Sequence, residues 1–128
     1  MKVFILIIQI ILVLVFALFG FQKIFMPLPD LIDQGMLWIE DFPEWQVRII
    51  GFLEVIGAFG LIFPYIIKTL PKMIIAIASG SLALIMVGAI ITHIIRGDVI
   101  LSIIITSILF LMAMLIAAFR FKQYKSES

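Results

Sequence analysis

Val47-Arg48-Ile49-Ile50-Gly51-Phe52-Leu53-Glu54-Val55-Ile56-Gly57-Ala58-Phe59-Gly60-Leu61-Ile62-Phe63 places one carboxylate in the middle of a run that is apolar beyond its entry arginine. A lone ionised acid at membrane depth costs a few kcal/mol on insertion scales, roughly 2.5–3.5 kcal/mol at the centre of a helix. Glu54 is therefore expected to face inward, and either to stay protonated or to find a cation. At helical spacing it shares a stripe with Gly51, Gly57 and Ala58, small residues that permit close helix approach.

The composition fixes the surrounding medium. Of 128 residues, 65% are hydrophobic and only 13% charged, and the mean hydropathy is +1.34. Such a chain cannot supply a polar surface and dissolves instead in lipid. Four apolar spans, at about residues 3–23, 47–67, 72–95 and 99–120, predict an all-α, integral membrane, up-down four-helix bundle as a single domain over 1–128. Lys2 ahead of the first run also fits the start of a signal peptide. That run, however, exceeds the usual stretch of roughly 7–15 apolar residues, so a retained helix is expected.

The one long connection, Met26 to Trp45, contains three prolines and five acids and predicts an interfacial flap between the first two helices. Leu31 to Ile39 is expected to form a helical turn or two along the surface, with Trp38 and Trp45 as belt residues. The short links force neighbouring spans to run antiparallel. Both termini and the link between the second and third spans then share one side, with Lys2, Lys68, Lys72, Arg120, Lys122 and Lys125, against Lys23, Arg48 and Arg96 on the other. Six against three predicts cytoplasmic termini. The tail bases read as an anchor at anionic headgroups, with Lys125 to Ser128 mobile.

What the chain lacks excludes several chemistries. Without cysteine there is no disulfide, thiol or iron–sulfur chemistry. With a single histidine, neither a bis-histidine haem nor a closed zinc site can be assembled in one chain, so no metal is expected. A net charge of +1 and the absence of a recognition motif exclude a nucleic-acid partner.

In this topology the ionisable residues nearest the spans gather at the flap end. Lys23 ends the first helix, Arg48 begins the second about 10 Å from Glu54, and His93 and Arg96 finish the third. Ser102 and Thr106 lie four apart on the fourth. Lys23, Arg48 and His93 are the candidate partners of Glu54, with Ser102 and Thr106 secondary, in one outer-leaflet polar pocket. Each has a plainer reading: a structural ion pair at Glu54, an interfacial histidine, snorkelling bases at Lys23, Arg48 and Arg96, and packing hydroxyls. Gln9 supports only an interhelical hydrogen bond. The other half of the bundle is expected to be dry, which argues against an ion or proton pathway.

The run from Arg48 to Pro64 resembles the signature of the DoxX-like membrane proteins: an arginine, then Gly51-x-x-Glu54-x-x-Gly57-Ala58-x-Gly60-Leu61-x-x-Pro64. Gly20-x-x-Lys23 and Met86-x-Gly88-Ala89-x-x-Thr92-His93 resemble the ends of that family's first and third helices. The resemblance implies a polar site at Lys23, Arg48, Glu54 and His93. It also implies an association with quinone-linked sulfur and redox metabolism, since the family takes its name from the small subunit of an archaeal thiosulfate:quinone oxidoreductase. The leading expectation is an accessory subunit that binds a quinone or a similar small amphipathic ligand for a membrane oxidoreductase, with a partner subunit carrying electrons. The alternative is a non-catalytic scaffold or assembly factor, acting through a membrane-protein partner or as a homo-oligomer, in which the Glu54 cluster is structural.

Overall fold

The computed structural model describes residues 1–127 and contains helices and no strands among them. Helix α1 spans Lys2–Phe25 and stops where Met26, the residue before Pro27, takes an extended conformation. The flap follows as helix α2, Leu28–Asp33, and a 3₁₀ turn, Leu37–Asp41. Gly35 separates them at φ 105°, in the left-handed region open to glycine. Leu31, Ile39 and Val47 are buried in a small core of the flap's own, with Met26, Trp38 and Phe42 packed around them, so the flap is folded against the start of the second span.

The second span, Glu44–Ile66, is not the continuous helix expected over 47–67. It is helix α3, Glu44–Gly60, followed by the single turn α4, Phe63–Ile66. Pro64 has no N–H to offer the carbonyl of Gly60, so the ladder breaks there. Tyr65 N–H instead donates to Ile62 O at 3.0 Å.

Helix α5, Met73–Arg96, ends in a Schellman motif: Gly97 at φ 70° donates to Ile94 O, and Asp98 N–H returns to His93 O at 3.1 Å. Helix α6, Ile100–Glu127, runs seven residues past the expected end near 120, because Tyr124 is buried against the bundle and holds the last turns. Lys125, Ser126 and Glu127, expected to be mobile, are part of this helix, while Ser128 lies outside the described residues.

The four spans, α1, α3 with α4, α5 and α6, are each long and apolar enough to cross a bilayer, and the protein is an all-α integral membrane bundle. Helices α1 and α3 form one close pair and α5 and α6 the other, with α3 against α5 and α6 against α1 closing the ring. The core between them contains Ile5, Leu12, Phe16, Ala58, Leu61, Ile75, Leu82, Ala113 and Ile116. Outward faces such as Leu14, Leu84 and Leu111 are exposed, as lipid contact requires.

The α1–α3 contact is backbone to backbone. A Cβ added to Gly51 would sit 2.7 Å from Gly20 O, and one added to Gly20 would sit 2.8 Å from Gly51 O. This crossing lies one turn from both Lys23 and Glu54, and so sets the distance between them.

Candidate functional site

Lys23 Nζ and Glu54 Oε1 are 2.5 Å apart. Glu54 is 1% exposed, and the Lys23 side chain 12% exposed. Of the three cations considered for Glu54, this is the one the structure brings to it. A carboxylate this deep is tolerated because its countercharge arrives on the neighbouring helix at a glycine crossing. Lys23 Nζ also lies 5.6 Å from the centre of the Trp38 ring, in a cation–π contact. Trp38 therefore turns inward over the ion pair and is half-buried, whereas Trp45 is 60% exposed as a belt residue would be.

Arg48 does not reach Glu54. Its Nη1 donates to Lys23 O at 2.9 Å and Met26 O at 2.6 Å, and its Nη2 reaches Glu44 at 3.1 Å. It neutralises the carbonyl end of α1 and fastens that end to the start of α3. The spacing that placed Arg48 near Glu54 along the helix axis overlooked the freed carbonyls of α1, which are nearer.

His93 is also paired elsewhere. Its Nδ1 lies 2.7 Å from Asp98 Oδ2, and because a carboxylate can only accept, Nδ1 carries the proton and Nε2 is left as the free ring nitrogen. The Schellman turn at Gly97 returns the chain so that Asp98 meets His93. Arg96 Nε contacts both oxygens of Asp98 at 3.2 Å, and its Nη1 bonds Asp41 of the flap. Arg96 thus ties the flap to the third span instead of snorkelling free. The hydrogen bond from His93, followed by the hydrogen bond and then the charge of Arg96, holds the Asp98 carboxyl below its ordinary range against the opposing effect of burial.

Between the two helix pairs, at the flap end, lies a cavity of about 490 Å³. Lys23, Glu54, His93, Ser102 and Thr106 all line it, and Arg48 does not. Apart from Thr92, whose hydroxyl bonds back to Gly88 O, the remaining walls are mainly apolar and aromatic, with Phe16, Phe19, Trp38 and Phe42 prominent. Thr106 Oγ1 bonds back to Ser102 O at 2.7 Å, which is the plainer reading of that hydroxyl.

The family of this chain is identifiable once the site is laid out, since the DoxX-like family model matches residues 7–118, which include Lys23, Glu54 and His93. The chain belongs to the DoxX-like family. No curated protein and no solved structure matches it.

In this DoxX-like protein sequence reasoning missed two partners at the flap end, Asp98 and Trp38. The Gly97-Asp98 pair directly after a helix carrying His93 was the available signal for the first. It also misread the tail end, where two polar side chains, Gln9 and Arg120, are buried in the bundle. Gln9 Nε2 donates to Leu61 O at 2.6 Å, capping a carbonyl freed by the break before Pro64. Arg120 is 5% exposed, and its Nε donates to Gln9 Oε1 at 3.3 Å. The arginine read as a headgroup anchor is thus inside the bundle. Among the described residues no group of acids or histidines is placed to hold a metal ion.

Proposed function

We propose that this DoxX-like membrane protein binds the head of a quinone or a similar small amphipathic molecule in the cavity beside Lys23 and Glu54, as an accessory subunit of a membrane oxidoreductase. The observation that carries this reading is one cavity with polar groups from facing helix pairs set in aromatic walls. A volume of about 490 Å³ falls within the range of roughly 300–1,000 Å³ usual for small-molecule pockets. The Lys23 ammonium has three N–H groups and gives one to Glu54, so it can donate to a ligand oxygen. His93, oriented by Asp98, presents Nε2 to a second polar atom. A planar ring with oxygens at both edges satisfies both poles, and Trp38 and Phe42 cover its face.

A quinone brings two-electron, two-proton chemistry with it, and this chain's share is to hold the oxygens and to keep or pass a proton at Glu54 or His93. The electrons come from a partner subunit. With cytoplasmic termini the cavity opens in the outer leaflet of a bacterial cytoplasmic membrane.

Lipid extraction from the purified protein tests the reading. Co-purified quinone, and weaker quinone affinity after Glu54→Gln or His93→Ala, is the expected result. An extract free of quinone, with affinity unchanged in both variants, would overturn it. A second reading is favoured by the closed Lys23–Glu54 pair at the Gly20–Gly51 crossing: a scaffold that docks another membrane protein, in which the pair locks the bundle. That role predicts that Glu54→Gln lowers thermal stability while partner co-purification survives.

A further inference from the structure

The ion pairs Lys23–Glu54, Arg48–Glu44, His93–Asp98, Arg96–Asp41 and Arg96–Asp98 belong to the flap end. Arg120 is buried at the opposite end and is in none of them. Its guanidinium gives Nε to Gln9 and Nη1 to Gln123 Oε1 at 2.8 Å, and lies 5.7 Å from the Phe119 ring centre and 6.0 Å from that of Tyr124. Every one of these partners is neutral. Two of five N–H groups are spent on amides, no acid among the described residues is in ion-pair contact with the guanidinium, and Arg120 retains 5% exposure.

We propose that Arg120 is the centre of an anion site that takes a phosphate group at the end of the bundle carrying both termini. The planar fork matches two phosphate oxygens, and it is held in place because Gln9, its support, is itself fixed to Leu61 O at the helix break. The depth suits a lipid phosphate. Helix α6 has 28 residues and is about 42 Å long, close to a full bilayer with headgroups, and Arg120 lies about 10 Å in from its end, a few Å inside the hydrocarbon layer, a depth from which an arginine side chain still reaches headgroup level. Lys2, Lys68, Lys72 and Lys122 are exposed at the same end and raise the local concentration of anions, but a single guanidinium in a fixed cradle is what selects one. The source of the phosphate is either a lipid headgroup or the free ion.

The test is native mass spectrometry of the whole chain in a non-ionic detergent, with dioleoyl phosphatidylglycerol and dioleoyl phosphatidylcholine in equal amounts, with and without inorganic phosphate. The wild type is expected to retain phosphatidylglycerol in preference to phosphatidylcholine, Arg120→Gln to lose about tenfold or more of that retention, and Lys122→Gln to lose less than about threefold. Inorganic phosphate that displaces the lipid and binds in its place assigns the site to the free ion; lipid that stays bound assigns it to the headgroup. Equal retention in wild type and Arg120→Gln, an equal loss in Lys122→Gln, or no phosphate species on the wild type overturns the proposal. Should Arg120→Gln fail to fold, Arg120→Lys keeps the charge without the fork and is expected to hold the lipid more weakly than wild type; undiminished retention there overturns the fork as the selective element.

Discussion

Replacing Lys23 with Met removes the only cation within ion-pair distance of Glu54 among the described residues while keeping an apolar stem beside Trp38. The carboxyl must then enter the bundle protonated. From an ordinary value of 4.5, that costs about 3.4 kcal/mol at pH 7, at 1.36 kcal/mol per pH unit. Taking the intact pair as near break-even, the expected destabilisation is about 3 kcal/mol at pH 7. The sign with pH follows from proton uptake on folding: the penalty shrinks toward about 1.4 kcal/mol at pH 5.5 and grows as the pH rises above 7. Denaturant-induced unfolding in detergent micelles between pH 5.5 and 8 measures it. The double variant Lys23→Met with Glu54→Met, an apolar pair, should recover wild-type stability and lose the pH slope. A single-variant loss below about 1 kcal/mol that is flat across this range would refute the claim that a buried charge is being neutralised.

Gly51→Ala should cost about 1–3 kcal/mol, because its Cβ would meet Gly20 O at 2.7 Å, whereas Gly80→Ala, with nothing within 4 Å, should be neutral or stabilising by up to about 1 kcal/mol; both are read from unfolding midpoints. Gln9→Leu leaves Leu61 O and Arg120 Nε without their buried partner and should cost about 2–4 kcal/mol in the same assay. Because the folded Asp98 carboxyl is held below its ordinary value of 3.8, its contribution to stability is present above that pH and lost as pH falls through the lower folded value; Asp98→Asn should remove this part of the acid-limb slope in a stability–pH profile. With Trp45→Phe leaving Trp38 as the sole tryptophan, a short-chain quinone should quench its emission saturably, and purely linear quenching would count against occupancy of the cavity.

Much of the site was legible as helical periodicity. Gln9, Phe16 and Gly20 on α1, and Gly51, Glu54, Gly57 and Ala58 on α3, are buried on the stripes their spacing defines. The partners were harder to read, because distance along an axis does not say which neighbour a flexible base will choose. Arg48 found the carbonyls at the end of α1, and His93 found Asp98 through a turn whose return direction depends on Gly97.

Hydropathy alone determined that the chain lives in lipid, crosses it four times and hides one acid, since those consequences follow from transfer free energies that each residue carries with it. Only the tertiary structure decided that Lys23 is the base beside Glu54, that Trp38 and the flap cover the cavity, and that Arg120 is inside the bundle. Those outcomes depend on which helices touch and at what separation. That separation was set by backbone contact at Gly20 and Gly51 and by the helix break before Pro64, which no single span specifies by itself.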